Sequence, residues 1–532
     1  MPMQPDDKPT RGFLAWVERI GNRLPEPAMI FAWLILALVI LSQLGSWLGW
    51  QAQIAYSGDK PPPFAELGDG TAIYRATSLL AEENVHRLLT ELPRTLVGFA
   101  PLGAVITMIL AATIAERSGL LSVLIRASLR RAPARVLTPL VAVIGMVSHH
   151  ASDAAYIVFI PLAGLLYAVV GRHPLAGIAA AIAAVSGGHA GNVTPGQMDV
   201  ILFSFTQEAA RIVDPGWTMN PAGNWWFILT IVAVFTPIIW FLTDRVVEPR
   251  LGRWTKVSDA ELERELASSG LSDEERRGLR RAGWWALGVI ALFVALTVTP
   301  GYSPLADEAA QGSERYNPLF AALIALFFLL LAGGGILFGT ATGLVRSSRD
   351  ALDMAGQGVI AMAPYIVFVF FAAHFVAMFS WSRLGPILAI SGAHRLEALA
   401  LPAPVLLVSV QMLSSFLDLF IGSASAKWSA LAPVVVPMFM LLGISPEMTT
   451  AAYRMGDSYT NIMTPLMSYF PLVLAYCRRW MPDTGVGTLL ALMLPFALTF
   501  MGVGVVMVAS WVAFDLPLGP GATVGYSLPL SR

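Results

Sequence analysis

The sequence predicts an all-α polytopic membrane protein, with nine transmembrane helices and two re-entrant helical hairpins arranged as an inverted repeat. Three observations predict it. The chain of 532 residues is 56% hydrophobic and 13% charged, with a mean hydropathy of +0.65, whereas soluble proteins carry about 25% charged residues. Tracts such as 27–50, 225–242 and 318–337 meet the roughly 18 to 20 apolar residues that cross a hydrocarbon core. Two stretches also repeat each other's Pro, Gly and Ala positions 272 residues apart. The net charge of −1 gives no reason to expect nucleic acid or another polyanion as partner. A single cysteine, Cys477, excludes an internal disulfide and any multi-cysteine metal site.

Each element follows from length and charge. Residues 1–26 carry Lys8, Arg11, Arg19 and Arg23, and basic residues beside spans mark the cytoplasmic side. This segment is expected inside, and 27–50, too long for a signal-peptide core, stays as the first span. Residues 51–91 hold Asp59, Glu66, Asp69, Glu82, Glu83 and Glu91 and read as an outside loop. A second span at 96–116 returns to the four arginines of "RASLRRAPAR" (126–135). One crossing through the next apolar stretch would put Arg172 outside. A hairpin over 136–170 keeps it inside, with a small-polar tip at "SHHASD" (148–153) that suits re-entrant backbone sheltered by protein. Residues 174–210 then cross, interrupted at "SGGHAGN" (186–192), and 225–242 leads back to a cytoplasmic loop over 244–281.

Spans at 283–299 and 318–340 bracket an acidic outside loop with Asp307, Glu308 and Glu314, and end at Arg346 and Arg349. A span at 359–379 precedes a second hairpin, 402–442, whose tip is "IGSASAKW" (421–428). A broken crossing from Pro446 reaches Arg478 and Arg479, and a last span at 488–514 leaves the tail 515–532 outside. The transmembrane domain thus covers 27–514, and parity agrees with positive-inside charge throughout. The expected location is the inner membrane of a bacterial cell, with the N-terminus cytoplasmic.

The repeat can be read directly. Pro161 falls on Pro433, Gly171 on Gly443, Pro174 on Pro446, and Ala179 and Ala180 on Ala451 and Ala452, always 272 residues apart. Each copy ends in a Thr-Pro pair, Thr194-Pro195 and Thr464-Pro465. The topology enters the two hairpins from opposite sides, and inverted repeats with broken helices at the midplane are a common build of secondary transporters. The interrupted stretch "YRMGDSYTNIMTP" (453–465) places Arg454, Asp457 and Asn461 where hydrocarbon is expected. Polar groups at that depth face a cavity or a partner. Spacing of four sets Asp457 and Asn461 on one helical face, and Gly456 beside them permits unwinding. Carboxylate and amide oxygens suit a hard cation such as Na⁺, so Asp457, Asn461 and the corresponding Asn192 are candidate cation ligands. Arg454 offers a planar fork for a carboxylate-bearing solute, or a local ion pair with Asp457.

The blocks "SDAAYIVFIPL" (152–162), "GRHPLAGIAAAIAAVSGG" (171–188), "GSASAKWSALAPVVVPMFMLLG" (422–443), "YRMGDSYTN" (453–461) and "PLMSYF" (465–470) resemble the AbgT family of aminobenzoyl-glutamate transporters. The likeness runs over nearly the whole chain. It implies a homodimer without cofactor or enzymatic activity, and movement of p-aminobenzoyl-glutamate or related aminobenzoates driven by Na⁺ or H⁺. Some members of the family are associated with export of p-aminobenzoate-like sulfonamides instead. The resemblance also implies a substrate site at Asp199 in "GQMDVILF", Ser425 and Trp428 in "SASAKW", Pro446 in "ISPEM", and Arg454 and Asp457 in "YRMGDS". Trp428 would stack on an aromatic ring, Ser425 would hydrogen-bond a carboxylate or amine, and Asp199 would carry a proton or hold Arg454.

This sequence departs from the family pattern at His189 and Gly191, and at Asp418, where an amide is more usual. If Asp418 faces the cavity, it adds an acid and shifts coupling toward protons. His149, His150 and His189 do not make a metal site, because H-E-x-x-H is absent. Two other function classes remain open at this level. An intramembrane hydrolase would need a nucleophile–base set, and G-x-S-x-G and H-E-x-x-H are both missing. A passive channel would favour rings of like charge from several subunits, where this chain has paired, non-identical halves.

Overall fold

The computed structural model describes residues 26–55, 64–68, 71–129, 133–148, 155–218, 220–252, 254, 270–310, 314–464, 467 and 469–527. Among the described residues, eight helices are long and apolar enough to cross a bilayer: Pro27–Trp47, Ala100–Arg117, Trp225–Leu251, Asp273–Val298, Leu323–Thr342, Ala363–Trp381, Ala424–Leu441 and Val486–Ala513. Seven of them coincide with predicted spans, and Ala424–Leu441 is the second arm of the second predicted hairpin. The other two predicted crossings are interrupted. Pro174–Ile182 widens into a π-turn at Ala183–Gly187, and regular helix resumes only at Gln197–Ala210. Pro446–Thr460 is likewise separated from Phe470–Trp480.

The order of elements repeats. Ala100–Arg117, Leu120–Leu129, Leu137–Val147, Ile160–Val169, Pro174–Ile182, Gln197–Ala210 and Trp225–Leu242 recur as Ala363–Trp381, Leu384–Ala398, Ala403–Asp418, Ala424–Leu441, Pro446–Thr460, Phe470–Trp480 and Val486–Ala513. In each copy the two hairpin arms pack more on the broken helix that follows them than on one another. These inner helices have no lipid-facing side. Pro174–Ile182 is buried along its whole length, and Pro446–Thr460 nearly so. Small residues permit the approach: a Cβ on Gly456 would lie 2.1 Å from the Gln411 carbonyl oxygen. Gly456 is therefore a point of close helix contact and not the start of unwinding, because regular helix continues to Thr460.

The architecture is predominantly helical as expected, and two details differ. The chain is not purely helical: Gln51–Ala55, Glu66–Gly68 and Thr71–Arg75 form an antiparallel sheet with Thr71–Arg75 in the middle. Its alternation buries Ala72 and Tyr74 against Ile387 and Ile390 of Leu384–Ala398. The loop expected over 244–281 is helical at both ends, where described. Trp225–Leu242 runs on through Glu248–Leu251, and Asp273–Val298 begins at a capping box. There Ser272 Oγ accepts from the Glu275 amide at 3.1 Å, and Glu275 Oε2 accepts from the Ser272 amide at 2.8 Å. Residues 1–25 and 149–154, with the expected cytoplasmic segment and His149 and His150, lie outside the described residues, as does Pro465.

The tail is fastened to the rest of the chain. The Ser445 amide donates to the Val524 carbonyl at 2.8 Å and the Tyr526 amide to that of Gly443 at 2.8 Å. The Trp226 amide donates to the Leu518 carbonyl at 2.8 Å, and Asn220 Nδ2 to that of Pro520 at 2.7 Å. Residues 518–526 thus bridge the head of Pro446–Thr460 in one repeat to that of Trp225–Leu242 in the other.

Candidate functional site

The site is built on the two broken helices and the second hairpin. Arg454 and Asp457 lie three residues apart on Pro446–Thr460, yet they do not pair with each other. Arg454 Nη1 donates to Asp199 Oδ1 at 2.6 Å. Asp199 sits in the first turn of Gln197–Ala210, where Oδ2 also accepts from the Gly196 amide at 2.8 Å, a position that favours a carboxylate. Asp457 instead meets the ammonium of Lys427, which also pairs with Asp418. Each partner comes from another element: Asp418 ends the first arm of the second hairpin, and Lys427 opens the second.

These five ionisable groups are at most 4% exposed. Three carboxylates and two cations are held where removal of one partner would leave an uncompensated charge. Lys427 is absent from the residues that the sequence motifs single out, although it stands between Ser425 and Trp428. The general cost of a charge inside a membrane span would have found it.

A cavity of about 240 Å³ lies beside this network, lined from both repeats. The first repeat contributes Tyr156, His189 and Met198; the second contributes Gly422 to Ser425 from the hairpin tip, with Asp457, Asn461, Met467 and Tyr469. Tyr156 and Tyr469 stack at 4.2 Å with their planes 9° apart. Asn461 Nδ2 donates to Asp457 Oδ2 at 3.4 Å. Ser423 and Ser425 also line a second, more apolar cavity of about 570 Å³, with Pro27, Tyr365 and Phe368.

Of the sequence-predicted residues, Ser425, Asp457 and Asn461 reach the central cavity. Asp199 and Arg454 form a buried pair outside its lining, and Asp418 is also outside it, held by Lys427. Trp428 is fully buried. It stacks on Tyr453 at 4.3 Å and donates from Nε1 to Thr206 Oγ1 at 2.9 Å, so its ring is already engaged by the protein. Pro446 is the first residue of its helix, where Ser445 Oγ caps the Met448 amide at 3.1 Å. It stands eleven residues before Asp457, about 16 Å along the axis at the usual rise. Asn192 lies in the first break and accepts from the Val193 amide at 2.8 Å; it does not line the cavity. The break is tied to the second repeat nearby: Ser458 Oγ accepts from the Ala190 amide at 2.9 Å and donates to the Gly187 carbonyl at 2.8 Å.

Comparison with known proteins agrees with this architecture. The sequence profile of the AbgT transporter family matches residues 12–526. The p-aminobenzoyl-glutamate transport protein of Escherichia coli K12 is 37% identical over 506 residues, 95% of this chain and 96% of the relative. The YdaH transporter of Alcanivorax borkumensis, whose crystal structure is described as revealing an unusual topology, superposes with a TM-score of 0.83 at 39% identity. That match covers 93% of this chain and 100% of the other. MtrF of Neisseria gonorrhoeae, described as illuminating a class of antimetabolite efflux pumps, gives 0.86 at 37% identity over 96% of this chain and 100% of its own. These relatives are transporters and not enzymes. The chain is a multi-pass membrane protein that belongs to the AbgT transporter family.

Proposed function

We propose that this protein is a cation-coupled secondary transporter of p-aminobenzoyl-glutamate or related aminobenzoates, with export of p-aminobenzoate and sulfonamides as its other mode. One observation carries the reading: the central cavity is shared between both repeats and joins a stacked tyrosine pair to Asp457, Asn461 and Ser425. The flat tyrosines suit an aromatic solute. Ser425 suits its carboxylate or amine, and the Asp457–Asn461 oxygens suit Na⁺ or a proton. We assign Lys427 to holding Asp457 in place through their ion pair, and the Asp199–Arg454 pair to joining the two broken crossings. Trp428 and Pro446 support the site through packing and helix initiation.

The repeated order of elements, together with the charge distribution, supports nine crossings and two hairpins in inverted orientation. The charge distribution supports a cytoplasmic N-terminus in the inner membrane, and the family resemblance supports a homodimer. Ser423 and Ser425 line both cavities, which fits a carrier better than an open pore.

The test is flux in proteoliposomes with p-aminobenzoyl-glutamate, p-aminobenzoate and a sulfonamide, under separately imposed Na⁺ and pH gradients. Uphill movement under one gradient, and exchange of labelled against unlabelled solute, are expected. Flux that never exceeds equilibration and shows no counterflow would overturn the carrier reading. Asp457→Asn should abolish uphill flux while the protein remains folded.

A further inference from the structure

A further cavity lies at the other end of one helix of the site. Gln197–Ala210 carries Asp199 in its first turn and Glu208 in its last. Those two are about 14 Å apart along the helix axis. Around Glu208 opens a cavity of about 440 Å³, lined by Glu91, Arg94, Phe99, Arg211 and Trp381 among others. Every element that reaches it does so at the end that the charge pattern assigns to the outside: the segment leading into Ala100–Arg117, and the C-terminal ends of Gln197–Ala210 and Ala363–Trp381.

Its chemistry is mixed. Arg211 is partly engaged, with Nε donating to the Trp217 carbonyl at 3.1 Å and Nη1 to Glu208 Oε1 at 3.4 Å. Arg94 makes no ion pair among the described residues, and neither does Glu91. The cavity therefore presents a guanidinium and a carboxylate without ionic partners, beside two aromatic rings.

We infer that this cavity is an outer binding site for an aryl amine that carries a carboxylate tail, resting on the aminobenzoate reading of the central site. Arg94 takes a tail carboxylate through its planar fork, and Arg211 assists. Glu91 accepts from the solute's amino or amide N–H, and Phe99 and Trp381 flank the ring. A pure anion trap would lack the two glutamates, and a pure cation site would lack the two arginines. Solute held here is captured at one end of the helix whose other end holds Arg454.

Two measurements test it. In a Cys477→Ser background, a cysteine replacing Ser380, which lines the cavity, is labelled with a membrane-impermeant maleimide from the outside. p-Aminobenzoyl-glutamate should slow the labelling, p-aminobenzoate should slow it less, and the protection should persist when Asp457→Asn disables the central site. Separately, Arg94→Gln and Arg211→Gln should raise the concentration of p-aminobenzoyl-glutamate needed for half-maximal flux. About tenfold or more is expected for a lost charge-assisted pair, with kcat and the p-aminobenzoate response little changed. Saturable wild-type transport with unaltered KM in both arginine variants would overturn the outer site alone. So would protection that vanishes with Asp457→Asn. A wild-type protein that neither transports nor is protected overturns the aminobenzoate reading, and the outer site with it.

Discussion

The first hairpin is clamped at its base, whereas the second carries its charges near its tip. Just beyond the first hairpin, Arg172 donates from Nη2 to Glu248 Oε2 at 2.6 Å and from Nη1 to Thr138 Oγ1 at 2.8 Å. It also meets Asp244 and lies 4.3 Å from the Tyr167 ring centroid. Tyr167 and Thr138, one on each arm, are themselves hydrogen-bonded at 2.6 Å. These contacts join the base of the hairpin to the extension of Trp225–Leu242, where water still reaches the ions.

At the second hairpin the base is held by the backbone hydrogen bonds of Gly443 and Ser445 to the tail. The ions Asp418 and Lys427 sit at the inner ends of its two arms, fully enclosed. One backbone plan thus carries two electrostatic designs. A clamp whose ions keep some contact with water fixes geometry at less desolvation cost than a fully enclosed one. Buried ion pairs often contribute less to stability than apolar residues of the same shape, so their retention around Asp457 points to a working site.

The largest effect that would sharpen this contrast is expected from Lys427→Met. It leaves Asp418 and Asp457 enclosed without their cation and should cost about 3 to 5 kcal/mol, read as a fall in unfolding temperature in detergent. Neutralising all three, with Asp418→Asn and Asp457→Asn added, should restore stability but not uphill flux. A Lys427→Met protein as stable as the wild type would erase the distinction between the hairpins.

Arg172→Gln comes next. Its side chain is only 18% exposed and bonds Glu248, Asp244 and Thr138, so the loss should be about 1.5 to 3 kcal/mol, with flux retained. Loss of flux without loss of stability would make the clamp part of the transport machinery. The smallest effect is expected from Trp428→Phe, which keeps a ring on Tyr453 and gives up one hydrogen bond, about 1 kcal/mol. Unchanged KM for every solute would fit an anchoring ring; a raised KM for aromatic solutes alone would show that Trp428 contacts them.

Much of this was legible in the sequence, because lipid forces long apolar runs and makes every intramembrane charge conspicuous. Proline and glycine spacing likewise marks the broken helices at Pro174 and Pro446. What composition and spacing do not fix is pairing, and only the family resemblance offers Asp199 as a partner for Arg454. Asp199 and Arg454 are 255 residues apart, and nothing local to either announces the other. Proximity along the chain suggested Arg454 with Asp457, but helix packing offered each a better-enclosed partner. Lys427 was hidden by the motif around it, and the sheet by the acidic residues that mark its segment as a loop. Gly456 shows the same limit, since a glycine that allows two helices to touch reads in sequence like one that lets a helix unwind.

The tail adds a constraint of timing. Residues 518–526 leave the ribosome after every helix they join, so the bridge between Ser445 and Trp226 cannot close until both repeats have been inserted. During synthesis the heads of these two helices are therefore free to settle against their own hairpins first. Residues 518–526 then tie the two heads to each other.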